Sequence, residues 1–243
     1  MRVAIRRSTR LLPGLLVAGA KLVAALCLAA VALAAGLEAG FSRSVTPGLV
    51  RHYTGLFGAG VPARVQRWQE FVRRAPILTV ADRGMPPEAA LLSNVNRFFN
   101  RVAYVPDREL WRVDDYWATP AEMLSVDGAD CEDYAIAKYF ALRELGVPVD
   151  KLRLVYARTW QVANEAHMVL AYYETPDADP LILDNLQGRI ERASDRPDLV
   201  PVYTFNDEDV LLLQQNAPAL RLAPSSNRKW QALVEKLQRE LTY

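Results

Sequence analysis

Apolar positions recur along the chain first with a helical period and then with a strand period. Val65, Trp68, Phe71 and Val72 are spaced for one helical face, and Pro47 and Pro62 stand near the starts of short helices within Thr46 to Arg74. Pro86-Pro87 opens a further helix, whose Ala90, Leu91, Val95, Phe98 and Phe99 continue the pattern up to Val102. From Tyr104 to Gly128 the periodicity lapses, and Pro106, Asp114-Asp115, Pro120 and Asp127-Gly128 predict a mainly looped stretch. Helical spacing returns from Cys131 to Leu145, with Ala135, Tyr139, Leu142 and Leu145 along one stripe, Asp130 as the N-cap, and Gly146 with Pro148 as the stop.

Beyond that stop the period shortens to two. Leu152, Leu154 and Tyr156 alternate within Leu152 to Trp160, as do His167, Val169, Ala171 and Tyr173 in the next segment. A turn-rich run from Thr175 to Pro180 precedes Leu181 to Asp184, so Ala166 to Asn185 is predicted as an antiparallel hairpin with a moderately long loop. Val200 to Phe205 reads as a further strand. The chain closes on an amphipathic helix with Trp230, Leu233, Val234, Leu237 and Leu241 on a core-facing side. Helices, then a cysteine-bearing helix, then antiparallel strands predict an α+β domain in which the cysteine helix packs on the sheet.

The start of the chain stands apart. An uncharged run from Leu22 to Leu37 follows a basic start formed by Arg2, Arg6, Arg7 and Arg10, and Ala32-Leu33-Ala34 supplies a small-x-small cleavage site. Residues 1–34 therefore read as a secretory signal, with an uncleaved membrane anchor as the alternative, and 35–243 as a single catalytic domain. Leu26 before Cys27 does not suit a lipid-attachment site, and Arg6-Arg7 alone does not make a twin-arginine signal. With 243 residues, 51% hydrophobic and 23% charged, the chain is long enough to bury one full core.

Cleavage would remove five of the 29 basic residues and none of the 28 acidic ones, leaving a mature chain with an excess of about four negative charges. No concentrated basic surface remains, which argues against a nucleic-acid partner. Cleavage would also remove Cys27, so the exported chain would carry one thiol, Cys131. A lone cysteine in an oxidising compartment is either a buried small hydrophobe or a reactive group.

The surroundings of Cys131 favour reactivity. The first turn of a helix stabilises a thiolate through unpaired N–H groups and the positive end of the dipole. Of the two histidines, His52 lies in a polar segment that suits a surface role, whereas His167 begins a strand. Asp184 ends the following strand, so His167 and Asp184 fall at the same end of the predicted hairpin. The expected constellation is Cys131 as nucleophile, His167 as its base and Asp184 orienting the imidazole, the spatial logic of papain-like and transglutaminase-like enzymes.

The run Asp130-Cys131-Glu132-Asp133-Tyr134-Ala135-Ile136-Ala137-Lys138-Tyr139, with Leu145-Gly146-Val147-Pro148 behind it, resembles the bacterial transglutaminase-like cysteine proteinases typified by LapG. Asp115-Tyr116-Trp117-Ala118-Thr119-Pro120, His167-Met168-Val169-Leu170-Ala171-Tyr172, Leu183-Asp184-Asn185 and Tyr203-Thr204-Phe205-Asn206 extend the likeness over roughly residues 50 to 210. The resemblance implies a papain/transglutaminase-like fold and a periplasmic endopeptidase that clips the N-terminal region of a large surface adhesin, releasing biofilm cells. It further implies restraint by an inner-membrane cyclic-di-GMP receptor of the LapD type.

Asp130, Glu132 and Asp133 flank the thiol and should raise its pKa, opposing thiolate formation. A bound cation would remove that conflict, and closely spaced carboxylates suit Ca²⁺. The resemblance implies calcium dependence with Asp130, Glu132 and Asp133 as ligands; read without it, the same residues are an N-cap and a first turn that complements the helix dipole. No EF-hand loop is present. For the oxyanion, the Cys131 N–H is the natural first donor, while Trp117 is either a second donor or packing above the helix. Two further readings stay open: acyl transfer to an amine, as in transglutaminases and amidases, and a non-catalytic calcium-dependent binding protein.

Overall fold

The computed structural model describes residues 45–81, 87–161, 166–214 and 217–243, so the leader and Cys27 lie outside the described residues. Among the described residues no helix is long and apolar enough to cross a membrane. The chain opens on α1 (Pro47–Phe57), where the Thr46 hydroxyl accepts the Leu49 N–H and Pro47 occupies a first-turn position that needs no donor. Next come α2 (Val61–Ala81), which continues beyond the Arg74 end that the spacing predicts, and α3 (Pro87–Phe99). Trp68 of α2 is fully buried against Phe71, Phe98 and Phe99, with ring centroids 5.3–5.5 Å apart. On α3 the buried face is Ala90, Leu92, Val95 and Phe99. Leu92 thus takes the core position expected of Leu91, because 92, 95 and 99 fall on one line at steps of three and four.

The stretch expected to be mainly loop holds four short elements: β1 (Ala103–Tyr104), α4 (Asp107–Leu110), α5 (Pro120–Val126) and β2 (Gly128–Ala129), with β1 and β2 paired in parallel. A capping box explains α5. The Thr119 hydroxyl accepts the Glu122 N–H at 3.1 Å while the Glu122 carboxylate accepts the Thr119 N–H at 2.8 Å, and Pro120 follows the cap. Helix α6 (Cys131–Glu144) is buried on nearly every side from Glu132 to Leu142 instead of along one stripe. It packs against α3 and α5 and against strands of the main sheet. Its end is the predicted one, with Gly146 at φ 92°.

That sheet is antiparallel throughout, in the order β6-β5-β4-β3-β7-β8-β9. Its strands are β3 (Leu152–Thr159), β4 (Ala166–Tyr172), β5 (Leu181–Leu183), β6 (Glu191–Arg192), β7 (Leu199–Phe205), β8 (Val210–Gln214) and β9 (Ala217–Leu222). Helix α6 lies on β3 and β4. The α+β arrangement, with the cysteine helix on an antiparallel sheet, is therefore the one expected.

The closing helix α7 (Arg228–Glu240) buries Trp230, Leu233 and Val234; Trp230 stacks on Phe140 of α6 at 5.7 Å and 10°. Leu241 falls beyond the helix and is exposed, and Glu240 takes the last inward position. Its carboxylate accepts from the Tyr53 hydroxyl at 2.6 Å and from the Thr119 hydroxyl, tying α7 to α1 and to the cap of α5. Burial pushes its pKa up to about 7, against the opposing pull of those two donors. A carboxyl whose folded pKa is raised binds a proton that the unfolded chain has already lost, so its contribution to stability falls as pH climbs from about 4 through 7. Wild type should therefore lose more thermal stability than Glu240→Gln between pH 5 and pH 8, measured by calorimetry. Parallel losses would remove this role.

Candidate active site

Cys131 occupies the first position of α6 and opens onto a cleft of about 380 Å³ that His167, Tyr156, Tyr203, Trp117 and Lys229 also line. Helix α6 packs on β4, and Cys131, His167 and Met168 line the same cleft. The thiol donates to Glu132 Oε2 at 3.0 Å. Burial, then the Glu132 charge and hydrogen bond, then the Asp130 charge push the thiol pKa well above its usual value. The conflict expected from the acidic run is thus present in the geometry.

The β4–β5 register pairs Leu170 with Leu183, so position 184 falls level with position 169, and His167 and Asp184 are diagonal neighbours across the two strands. His167 is 3% exposed and Asp184 1%. His167 Nε2 lies 2.8 Å from Asp184 Oδ1, which leaves Nδ1 as the ring nitrogen not taken by the carboxylate. Asp184 Oδ1 also accepts the Leu186 N–H at 3.0 Å, and Oδ2 accepts from Arg196 Nη2 at 2.8 Å. Burial alone would raise the Asp184 pKa; the His167 hydrogen bond and charge, with the Arg196 and Leu186 donors, overcome it and hold the group at about 2. The backbone here is pinned from α3 and its end, where Asn100 Nδ2 donates to the Asp184 carbonyl at 2.8 Å and Asn96 Nδ2 to the Gly188 carbonyl at 3.0 Å.

The other candidates separate clearly. His52 stacks on Tyr243 at 4.2 Å and does not line the cleft. Trp117 is buried, stacks on Phe205 at 5.7 Å and 16°, and lines the cleft. Asp130 stands at the N-cap position of α6 without making a side-chain capping bond.

The carboxylates around the helix start have an unusual accounting. Buried and without hydrogen-bond partners are Asp107 Oδ1, Asp130 Oδ1 and Asp133 Oδ2. Ligand atoms of these three residues lie within 4.8 Å of one another, and those of Asp107, Asp115 and Glu132 form a second such group. Two of the remaining oxygens have partners: Asp133 Oδ1 accepts the Ala118 N–H at 2.7 Å, and Asp107 Oδ2 the Tyr116 N–H. Burial, then the neighbouring carboxylates, raise the pKa of Asp130 to about 9 and that of Asp133 well above the carboxylate range; burial also raises that of Asp107. Converging oxygens of this kind each need a proton or a cation. An all-oxygen donor set fits Ca²⁺, with Asp107, Asp130 and Asp133 as residues that would hold it, and the expected ligand Glu132 belongs to the neighbouring group with Asp107 and Asp115. Asp107 was not among the expected ligands, because one aspartate in a stretch rich in aspartates carries no local signal of burial.

Lys138, on the same helix as Cys131, is 0% exposed, and its ammonium nitrogen has no hydrogen-bond partner. Burial lowers its pKa to about 7, while Asp184 pulls the other way.

Comparison with known proteins gives two findings. Residues 78–199 match the family model described as bacterial transglutaminase-like cysteine proteinase BTLCP. Three solved structures of Legionella pneumophila LapG are 37% identical to the chain. The EGTA-treated form covers 78% of this chain and 96% of its own at a TM-score of 0.65. For a second LapG structure the values are 78%, 94% and 0.64, and for the calcium-bound form 77%, 97% and 0.62. No functionally curated protein matches the chain.

Proposed function

Because the chain belongs to the bacterial transglutaminase-like cysteine proteinases, we propose that it is a calcium-dependent endopeptidase working through Cys131, His167 and Asp184. The observation that carries the reading is one cleft lined by Cys131 at the start of a helix and by a histidine whose Nε2 is held by Asp184 at 2.8 Å. With Nε2 donating to Asp184, Nδ1 is the basic nitrogen that takes the thiol proton. The sulfur then attacks the scissile carbonyl, and the Cys131 N–H at the start of α6 stabilises the oxyanion. Protonated His167 returns the proton to the leaving amine, leaving a thioester on Cys131. Water, deprotonated by the same nitrogen, hydrolyses it, and the thiol is regenerated.

Calcium held by Asp107, Asp130 and Asp133 would supply positive charge beside the carboxylates that raise the thiol pKa. Glu132 is the residue through which this matters most directly, since its carboxylate holds the thiol proton at 3.0 Å. The substrate class we propose is the N-terminal region of a large surface adhesin, cleaved in the periplasm after export through the leader. An inner-membrane cyclic-di-GMP receptor is the inhibitory partner. The family assignment and the likeness to LapG support this reading.

The test is cleavage of an adhesin N-terminal fragment by purified protein, first with a calcium chelator and then with each metal restored. Chelation should suppress cleavage reversibly; Ca²⁺ should restore it, and Mg²⁺ poorly, because Mg²⁺ demands a tighter octahedral shell. Asp107→Ala and Asp130→Ala should mimic chelation. Full activity of the metal-free protein would remove calcium from the account. Mass analysis of the products separates hydrolysis, which yields two fragments, from acyl transfer, which yields a cross-link or a transferred amine.

A further inference from the structure

We propose that Arg196 is a positioning residue for the catalytic pair, locking the Asp184 carboxylate in the plane that holds His167, with Asp198 fixing Arg196 in turn. This rests on the reading of His167 and Asp184 as the base and its orienting acid.

Arg196 is 2% exposed and follows the short 3-10 turn Ala193–Asp195 that leads into β7. Its Nη2 reaches Asp184 Oδ2 at 2.8 Å and Asp198 Oδ2 at 2.7 Å, while its Nε reaches Asp198 Oδ1 at 2.9 Å. Gln161 Nε2 donates to Asp198 Oδ2 at 2.9 Å, which closes the line from His167 through Asp184, Arg196 and Asp198 to Gln161. The fork-shaped contact to Asp198 leaves the guanidinium one orientation. Because Oδ1 of Asp184 is committed to His167 and the Leu186 N–H, the Arg196 bond to Oδ2 is what stops the carboxylate from rotating.

The charges facing Asp184 are His167 from β4, Lys138 from α6, and Arg196 with Asp198 from the segment entering β7. Lys138 has a burial-lowered pKa, so Arg196 is the permanent cation of the group. Without it, Asp198 would confront Asp184 as a like charge, raising the energy of the ionised form that His167 needs as acceptor.

The experiment compares calcium-loaded wild type with Arg196→Lys and the double variant Arg196→Met/Asp198→Asn, which removes both charges so that Asp198 is not left as an unpaired ion facing Asp184. Each is assayed for kcat and KM across pH on the adhesin fragment cleaved by wild type. The double variant should lose kcat by up to about 100-fold with KM little changed, since misplacement of the imidazole affects the chemical step. Its acid limb should move up by at least about one pH unit, because an adjacent arginine ordinarily lowers an aspartate by that much or more. Arg196→Lys should keep the wild-type acid limb and recover only part of kcat, since it restores charge without the fork. Wild-type kcat and an unmoved acid limb in a folded double variant would overturn the proposal. If the double variant does not fold, Arg196→Lys decides: wild-type kcat overturns the proposal and a lowered kcat with an unmoved acid limb supports it. His167→Ala in the same assay separates the two levels. Full activity there sinks the catalytic pair itself, whereas an inactive His167→Ala beside unaffected Arg196 variants sinks only the role of Arg196.

Discussion

Cys131→Ala abolishes cleavage, by on the order of 10⁶-fold if a nucleophile here is worth what it is in serine proteases. The substitution removes the attacking atom and nothing that supports the fold. The sulfur makes one side-chain hydrogen bond, to Glu132, and the residue is only partly buried. The variant gives up one hydrogen bond to Glu132 and little buried volume, so the folding transition should persist with a thermal midpoint close to that of wild type. The measurement is kcat on the fragment alongside a calorimetric scan. Residual cleavage near the wild-type rate would exclude Cys131 as nucleophile, and loss of the folding transition would mean that the residue serves structure.

His167→Ala should approach the same loss, since Nδ1 is the base in the reading above and no other histidine lines the cleft. Asp184→Asn should cost one or two orders of magnitude less, as an orienting carboxylate does relative to the nucleophile and base. The asparagine cannot serve both its neighbours. Its oxygen can accept from either His167 Nε2 or Arg196, and turning the amide nitrogen toward His167 favours the tautomer with the wrong nitrogen protonated. The comparison is made in steady-state kinetics with all three proteins loaded with calcium. An Asp184→Asn variant as active as wild type would mean that Asp184 only neutralises Arg196.

How much of this could be read from the residues follows from the range of the physics involved. The faces of α2 and α7 and the alternation in β3 and β4 arise from local periodicity, whereas α6 is buried all round rather than on its predicted stripe; Gly146 stops α6 because its φ of 92° suits glycine. Helix α5 was legible in principle, since Thr119-Pro120-Ala121-Glu122 is a capping signature, but the surrounding prolines and aspartates read as loop. Strands β8 and β9 have no counterpart in the sequence reading; β8 takes its place by pairing with β7, and β9 by pairing with β8 at the sheet edge. The spacing puts Leu241 on a face that the helix does not reach, because helix ends depend on what the last turn can bury. Glu240, tied to Tyr53 and Thr119, settles that end.

The same division holds at the site. Cys131, His167 and Asp184 stand out from the chain because they are rare or well-placed residue types at element boundaries, and the structure brings His167 and Asp184 to 2.8 Å. Asp107, Asn100, Arg196 and Asp198 do not stand out. Each belongs to a common residue type in a polar segment, and each acquires its place only when distant segments converge. Asp130 shows the opposite case: its position predicts a cap, yet its carboxylate makes no capping bond and turns up among buried acceptors without donors.

The most direct test of the central claim is to follow loss of activity against alkylation of Cys131 in the calcium-loaded protein, using iodoacetamide and peptide mapping. The account predicts that activity falls in step with modification of Cys131 and that His167→Ala slows that modification strongly. Full cleavage activity in protein whose Cys131 is completely alkylated would contradict it.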